Sequence, residues 1–309
     1  MSNGTGGVSQ VPTALFIGSG VALVTPFDTN GVNENVLREL VRFHLREGTD
    51  ALVVNGSTGE ASTMTPGEQR RAVEIVVDEA GGKIPVIAGA GGSDTTAVSR
   101  LASEARAAGA TALLVSPPPY NKPTQQGIVA HYRAVMDAGG LPTIVYNVPG
   151  RTACNILPAT VETLAEDDRI VGVKEASGDL SQVAELSRRV GERVAIYSGN
   201  DDQVVALMAL GGMGVISVLA NVAPSDVSRM ARSFLEGDVV TARKLQLRLL
   251  PLINLLFKEP NPIPVKAAVR ALGFDAGPLR LPLTEVSDAL RGEVLAEMRA
   301  LGLDVRGEG

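Results

Sequence analysis

The chain alternates between short apolar, β-branched runs and longer stretches in which apolar residues recur at helical spacing. The short runs are continuous rather than alternating with polar residues, which is typical of strands that are buried on both faces. They are Val21–Thr25, Ala51–Asn55, Ile84–Gly89, Thr111–Ser116, Thr143–Asn147, Ile170–Lys174, Val194–Ser198 and Gly214–Val218. The stretches between them carry helix signals, such as Pro66 after Thr65 and Asp94 ahead of an Ala-rich run.

Eight strand-like runs separated by helices indicate parallel βα units. The number eight favours an α/β fold of the closed kind, a (β/α)8 TIM barrel, over an open doubly wound sheet. After about Asp238 the strand runs stop and three helical stretches follow: Val240–Leu256, Pro264–Leu272 and Thr284–Leu301. We therefore predict a catalytic barrel over residues 14–238 and a C-terminal helical appendage over 239–309. Residues 1–13 are polar and Gly-rich, which predicts a disordered tail.

The amino-acid composition limits which partners, metal sites and nucleophiles we expect. The 309 residues include 28 Lys and Arg against 34 Asp and Glu, a net charge of −6, which disfavours nucleic acid and anionic membranes as partners. With one cysteine, Cys154, and two histidines, we expect a reducing cytoplasm and no metal site. The apolar runs are too short to cross a membrane. Six residues are lysines, and a lysine amine is the nucleophile that attacks carbonyl groups.

In an α/β barrel the active site lies at the carboxyl ends of the strands. The residues that follow or end the predicted strands therefore converge on one mouth. The polar ones are the hydroxyls of Ser57 and Thr58, the phenols of Tyr120 and Tyr146, the guanidinium of Arg151 and the amine of Lys174, and Gly199 opens a further strand-end loop.

Lys174 is the most informative of these residues, because it is the only lysine in a predicted barrel strand. Burial at the end of an apolar strand disfavours a charged amine and so supplies a neutral nucleophile. The simpler interpretation is an ion pair with Glu175, or a side chain that points to solvent.

The other candidates have ordinary interpretations as well. Tyr120 and Tyr146 could shuttle protons near a Schiff-base lysine, or each could be a core residue with a satisfied hydroxyl. Ser57 and Thr58 could bind a carboxylate, or form a plain turn. Arg151 could bind a second carboxylate in bidentate fashion, or form a surface salt bridge.

Several other functions are disfavoured. Gly89-Ala-Gly-Gly92 lacks the third glycine of a dinucleotide-binding loop. A Ser–His–Asp hydrolase is unsupported, because the chain has no GxSxG motif and both histidines fall in predicted helices. Asp201 and Asp202 are expected to cap or start a helix rather than bind a metal.

Together these motifs resemble one family. Gly56-Ser-Thr-Gly-Glu60, Tyr120-Asn121, Tyr146-Asn-Val-Pro149, Gly172-Val-Lys-Glu175 and Gly214-Val-Ile-Ser217 match, in order and spacing, the pyruvate-dependent class I aldolases of the dihydrodipicolinate synthase and N-acetylneuraminate lyase superfamily. The resemblance runs from about Gly18 to about Leu301. Pro149-Gly-Arg-Thr152 and Asn261-Pro-Ile-Pro-Val-Lys266 resemble the dihydrodipicolinate synthase branch.

The resemblance implies a Schiff base between Lys174 and pyruvate, with Tyr146 as the proton donor and acceptor. Ser57 and Tyr120 would complete a proton relay, and Tyr120 would reach in from a neighbouring subunit of a homotetramer, a dimer of dimers.

The remaining implied residues bind substrates. Thr58, the backbone of Ile216, and Gly199 would hold pyruvate, and Arg151 would bind the carboxylate of aspartate 4-semialdehyde. The enamine would attack this aldehyde, and cyclisation with loss of water would follow, in the lysine and diaminopimelate pathway. No cofactor is implied.

This sequence departs from the family pattern at two places. Ser57 stands where the synthases usually have Thr, as in many sialic-acid lyases. The positions that bind inhibitory lysine in related enzymes match Pro66, Gln69, Ala97 and Pro119 here. Ala97 cannot pair with an ammonium, so we expect weak or absent inhibition by lysine.

Two alternatives remain open at this point. The first is another pyruvate aldolase of the superfamily, an N-acetylneuraminate lyase or a 2-keto-3-deoxy sugar acid aldolase, although such an enzyme would place an apolar or small residue at Arg151. The second is a non-catalytic barrel that binds a keto acid, and the presence of Lys174 with both tyrosines argues against it.

Overall fold

The computed structural model describes residues 14–307 and contains a closed barrel of eight parallel strands. The strands are β1 (Gly18–Ala22), β4 (Ala51–Val54), β5 (Val86–Ala90), β6 (Ala112–Val115), β7 (Thr143–Asn147), β8 (Ile170–Glu175), β9 (Ala195–Ser198) and β10 (Gly214–Ser217), and β2 (Phe27–Asp28) and β3 (Gly31–Val32) form a small antiparallel hairpin. Around the barrel, neighbours follow chain order and β10 closes on β1. The prediction of a TIM barrel is confirmed.

The helices lie between the strands and beyond them. They are α1 (Glu34–Arg46), α2 (Pro66–Ala80), α3 (Thr95–Ala107), α4 (Gln125–Gly139), α5 (Pro149–Thr152), α6 (Pro158–Leu164), α7 (Leu180–Val190), α8 (Val204–Ala209), α9 (Pro224–Leu235), α10 (Val239–Leu256), α11 (Ile263–Ala271) and α12 (Asp288–Ala300). The predicted starts at Thr65 and Asp94 are N-caps, since each side chain accepts a hydrogen bond from the first turn. Within residues 14–307 no helix is long and apolar enough to span a membrane.

The predicted position of the first barrel strand is wrong. The structure places β1 at Gly18–Ala22, whereas the apolar run predicted Val21–Thr25. Gly18-Ser-Gly20 resembles a loop in sequence, but a Cβ on Gly20 would lie 2.9 Å from the Phe16 ring. The glycine therefore makes room for a ring at the start of the barrel, and apolar periodicity does not reveal such a requirement.

Aliphatic and aromatic side chains fill the barrel interior. A core cluster separate from the outer layer includes Ala51, Ala112, Ala195 and Ile216. The rings of Phe16 and Tyr197 stack with centroids 4.3 Å apart, and the Tyr197 hydroxyl donates to the Phe16 carbonyl over 2.7 Å. The interior is therefore packed rather than open, and the cavities near the mouth must lie above this layer.

The C-terminal helices α10, α11 and α12 contact one another. The predicted third helix begins at Asp288 rather than Thr284, because Ser287 has the extended backbone of an N-cap. The boundary of the helical appendage at residue 239 stays a prediction. The predicted disordered tail, residues 1–13, lies outside the described residues.

A buried histidine predicts acid sensitivity. His44 on α1 is fully buried, with Nδ1 3.0 Å from the Thr49 hydroxyl, and burial lowers its pKa to about 3. Below pH ~6.5 the unfolded chain takes up a proton that the folded chain does not, so stability falls as pH drops. We expect His44 to account for a loss of about 2 kcal/mol in unfolding free energy between pH 7 and pH 5.

Denaturant unfolding at several pH values measures this loss. In His44→Gln the slope between pH 7 and pH 5 should become shallower. Burial also lowers the pKa of His131, to about 4, so part of the pH dependence of stability should remain in this variant. An unchanged slope in the variant would contradict the assignment.

Candidate active site

Parallel strands bring their carboxyl ends to one mouth, and the predicted residues lie there. Tyr146 on β7 and Lys174 on β8 are register partners, and Lys174 is also paired with Tyr197 on β9. The Gly56–Glu60 turn follows β4, and Gly199 follows β9. The barrel therefore brings residues that lie far apart in sequence into one site.

Lys174 is buried, with 4% of its surface exposed, and its Nζ lies 4.5 Å from the centre of the Tyr146 ring. Glu175 does not pair with it, because that carboxylate accepts hydrogen bonds from the Asn147 side chain (3.0 Å) and the Ser177 backbone (2.6 Å). The interpretation of Lys174 as an ion-pair partner of Glu175, or as a solvent-facing lysine, is therefore wrong.

A small inner cavity of about 70 Å³ surrounds this amine. Its walls include six of the eight predicted site residues: Ser57, Thr58, Tyr146, Arg151, Lys174 and Gly199. An adjacent outer cavity of about 370 Å³ shares Ser57, Tyr146 and Arg151 with it. The arrangement offers a nucleophile in the wall of a pocket for a small ligand, and the adjacent cavity has room for a second one.

Gly199 is required by space. A Cβ at this position would lie 3.1 Å from Cε of Lys174 and 2.6 Å from Cβ of Ala176. Its backbone N–H donates to the Glu175 carbonyl over 2.7 Å. A side chain at Gly199 would therefore push against the lysine stem that carries the amine.

The hydroxyls of Ser57 and Thr58 lie in a tight turn, in which the Gly59 N–H donates to the Gly56 carbonyl. Ser57 is exposed at the cavity wall, whereas Thr58 is buried and its Oγ1 accepts a hydrogen bond from Asn261 Nδ2 over 3.0 Å. The segment is thus an ordinary turn in shape that also presents both hydroxyls to the cavities.

Arg151 lies on the short helix α5 and lines both cavities. Its guanidinium donates to the backbone carbonyl of Asn261 over 3.0 Å. Within residues 14–307 Arg151 forms none of the surface salt bridges that the simpler interpretation required. Its guanidinium has further N–H groups that could donate to a carboxylate.

Two predicted residues line neither cavity. The Tyr120 side chain is 90% exposed, at a backbone φ of 69°. Ile216 is buried on β10, where its backbone pairs with Gly20. The contact of Tyr120 with a neighbouring subunit and the contact of the Ile216 backbone with pyruvate stay predictions.

Asp201 starts a short 3-10 turn, Asp201–Gln203, as expected, but its carboxylate has another use. Its Oδ2 accepts from the backbone N–H groups of Val218 and Leu219, over 3.0 and 2.9 Å. Burial raises the pKa of this carboxyl group, and these hydrogen bonds and the charge of Lys174 oppose the rise. Asp201 therefore fixes the chain just beyond β10.

Sequence reasoning missed the part of the site that comes from the C-terminal region. Asn261 lines both cavities, and Lys266 forms a fully buried ion pair with Glu60, at 2.7 Å. Asn261 and Lys266 are the two ends of the motif Asn261–Lys266, which contributed to the sequence analysis only as part of the family resemblance. Within residues 14–307 no group of three or more His, Cys, Asp or Glu side chains could hold a metal ion.

Comparison with known proteins fits this geometry. The model of the dihydrodipicolinate synthetase family matches residues 15–301. The chain belongs to this family. A 4-hydroxy-tetrahydrodipicolinate synthase of Thermoanaerobacter sp. (strain X514) is 53% identical over 275 residues, which cover 89% of this chain and 93% of the relative. One of Clostridium perfringens (strain ATCC 13124) is 46% identical over 289 residues, 94% of this chain and 99% of the relative.

Solved structures of the family agree in fold. The dihydrodipicolinate synthase of Aquifex aeolicus superposes with a TM-score of 0.92 at 40% identity, covering 94% of this chain and 100% of that one. That of Thermotoga maritima gives 0.91 at 39% identity, covering 93% and 99%. The family predicted from the sequence is confirmed.

Proposed function

We propose that this chain is a lyase that condenses pyruvate with aspartate 4-semialdehyde, the reaction of a 4-hydroxy-tetrahydrodipicolinate synthase in lysine and diaminopimelate biosynthesis. The observation that carries the proposal is the buried Lys174 amine, free of Glu175 and 4.5 Å from the Tyr146 ring centre, in a cavity of about 70 Å³. The relatives that bear this enzyme's name support the choice of reaction.

In this proposal the Lys174 amine attacks the keto carbon of pyruvate, and loss of water gives an imine. Tyr146 moves protons in these steps, and Ser57 and a Tyr120 from a neighbouring subunit pass them onward. Loss of a proton from the methyl group gives the enamine, whose carbon attacks the aldehyde. The amine of the second substrate then closes the ring at the imine carbon and releases Lys174.

The substrates are held by the groups around the cavities. Thr58, Gly199 and the Ile216 backbone bind the pyruvate part, and Arg151 binds the carboxylate of the aldehyde. The reaction needs no cofactor, because the protonated imine on Lys174 accepts the electron pair.

We further propose a homotetramer, a dimer of dimers, in the cytoplasm. The support is Tyr120, an aromatic side chain that is 90% exposed in the single chain, although the proton relay requires it. Family membership does not fix the assembly, since one solved relative is described as a monomeric dihydrodipicolinate synthase variant. The single cysteine fits a reducing compartment.

The reaction is tested by supplying pyruvate with each of two aldehydes. We expect aspartate 4-semialdehyde to be consumed and N-acetylmannosamine to be left. The reverse result would assign the chain to the sugar-acid lyases instead.

Weak or absent inhibition by lysine rests on Ala97, whose methyl group cannot pair with an ammonium. Of the other three matching positions, Gln69 and Pro119 line the outer cavity, and the Gln69 amide donates to the Ala61 carbonyl over 2.9 Å. The Glu60 carboxylate in its wall is occupied by Lys266. Within residues 14–307, the wall of the outer cavity therefore offers no free carboxylate to a lysine ammonium.

A steady-state assay with increasing lysine measures this directly. We expect rates within about twofold of the lysine-free rate until lysine far exceeds the substrates, a difference of less than 1 kcal/mol. Strong inhibition at low lysine concentration would contradict the prediction.

A further inference from the structure

Glu175 follows Lys174 on β8 and is a buried carboxylate that neutral groups hold. It is 4% exposed and accepts hydrogen bonds from the Asn147 side chain, the Ser177 backbone N–H and the Gln182 side chain, over 3.0, 2.6 and 3.3 Å. Each of these partners within residues 14–307 is an uncharged N–H donor. A buried carboxylate without a cation is costly, so its place directly beside the amine calls for a reason in the site.

The contact between Glu175 and Asn147 joins the two strands that carry Lys174 and Tyr146. In the register of β7 and β8, Tyr146 pairs with Lys174, and the next pair along is Asn147 with Glu175. The first pair lines the inner cavity, whereas the second pair lines neither cavity, as expected from side chains that alternate between the two faces of a strand. The second pair therefore fixes, from behind, the separation of the amine and the phenol ring.

Two further amides close this contact into a ring of four side chains. Asn147 Nδ2 also donates to Asn155 Oδ1 over 2.8 Å. Asn155 Nδ2 donates to Gln182 Oε1 over 2.8 Å, and Gln182 Nε2 donates to Glu175. We call Asn147, Asn155, Gln182 and Glu175 the polar ring. Each member is held from two sides, so the ring keeps one arrangement of its amides.

The position of Glu175 in the polar ring requires a group that only accepts. Its Oε1 accepts from Asn147 and Ser177, and its Oε2 accepts from Asn147 and Gln182. A glutamine here would turn its –NH2 toward one of these donors in either orientation of its amide. Glu175→Gln therefore opens the ring while it leaves the size of the side chain almost unchanged.

We propose that Glu175 is a positioning residue: through Asn147 it holds the Lys174 amine and the Tyr146 phenol in the arrangement that imine formation and proton transfer require. The inference rests on the proposed function and deepens it, because it names the group that orients the nucleophile. Glu175 lines neither cavity, so it acts on Lys174 rather than on the substrates. Displacing a reacting group by about 1 Å can cost about a hundredfold in rate.

The first measurement compares Glu175→Gln with the unaltered enzyme at saturating pyruvate and aspartate 4-semialdehyde. We expect kcat to fall about tenfold to a hundredfold, and the rate at which borohydride traps pyruvate on Lys174 to fall with it. KM for the aldehyde should stay within about twofold, because Arg151 does not belong to the polar ring. A merely structural role would lower the denaturant midpoint and leave kcat of the folded protein unchanged.

Reversing the polar ring is the sharper test. In Asn147→Asp with Glu175→Gln the group that only accepts moves to the other strand. The amides of Asn155 and Gln182 can satisfy it by turning over, which reverses the direction of the hydrogen bonds around the ring. We expect this double variant to recover kcat to within about fivefold of the unaltered enzyme. A double variant no faster than Glu175→Gln would overturn the proposal.

Glu185→Gln is the matched control, because Glu185 lies on the same helix as Gln182 but pairs with Arg188 and Arg189 at the surface, and kcat should not change. Gln182→Met serves if Glu175→Gln does not fold. It removes one donor of the polar ring, and we expect kcat about threefold to tenfold lower. An unchanged kcat in either folded variant of the ring would overturn the proposal. If the unaltered enzyme traps no pyruvate and consumes no aldehyde, the proposed function fails instead.

Discussion

Replacement of Lys174 by Arg or Ala is expected to lower kcat by at least about a thousandfold, the usual effect of removing a covalent nucleophile. Arginine keeps the positive charge in the cavity but cannot form an imine, so charge alone should not rescue the reaction. The measurement is the rate of pyruvate-dependent consumption of aspartate 4-semialdehyde. Lys83→Ala, a change at an exposed lysine, should leave this rate unchanged.

Stability should not fall together with activity. Lys174 is buried without Glu175 as an ion-pair partner, so its removal relieves the cost of a desolvated amine, which offsets the contacts that its side chain loses. We expect Lys174→Ala to unfold at or near the denaturant concentration of the unaltered protein. A variant that stays folded and keeps more than about a tenth of the rate would contradict the nucleophile assignment.

The second large effect is expected at the ion pair between Glu60 and Lys266. Both side chains are fully buried, and Lys266 Nζ also donates to the Pro278 carbonyl, over 2.8 Å. The other Glu60 oxygen accepts from the Arg280 backbone N–H, over 2.9 Å. The pair therefore fastens the turn that carries Ser57 and Thr58 to the C-terminal segment.

Lys266→Met would leave the Glu60 carboxylate buried without its cation. We expect a loss of about 3–5 kcal/mol in unfolding free energy, measured by denaturant titration. Changing both residues, Glu60→Gln with Lys266→Met, should recover most of the loss, because no uncompensated charge remains.

An exposed ion pair serves as the control. Lys258 Nζ lies 2.7 Å from Glu293, with both side chains about half exposed. Lys258→Met should cost less than about 1 kcal/mol. If Lys266→Met costs no more than this control, the buried pair does not hold the turn as described.

The sequence was sufficient to predict the barrel because its signals are local. Continuous apolar runs reveal doubly buried strands, and Thr143–Asn147 was predicted with both bounds correct. Strand β1 was predicted three residues too late because Gly18-Ser-Gly20 has no apolar run, although these residues pair with Gly214–Ile216 of β10. Such pairing becomes visible only in the folded chain.

The same distinction between local sequence signals and long-range packing applies to the residues of the active site. Lys174 could be predicted as a candidate because the strand ends of a barrel share one mouth, and a lysine at such an end can enter it. Asn261 could not, since its partner Thr58 lies 203 residues away and only the folded chain brings the two side chains together. The pairing of Glu60 with Lys266, 206 residues apart, was hidden for the same reason.

The proposed mechanism requires a Schiff base between Lys174 and pyruvate. Incubation of the full-length protein with pyruvate and borohydride, followed by peptide mass mapping, detects this bond. We expect one reduced adduct, on the peptide that contains Lys174, and none on Lys266, whose ammonium is held by Glu60. An adduct on any other lysine, or no adduct at all, would contradict it.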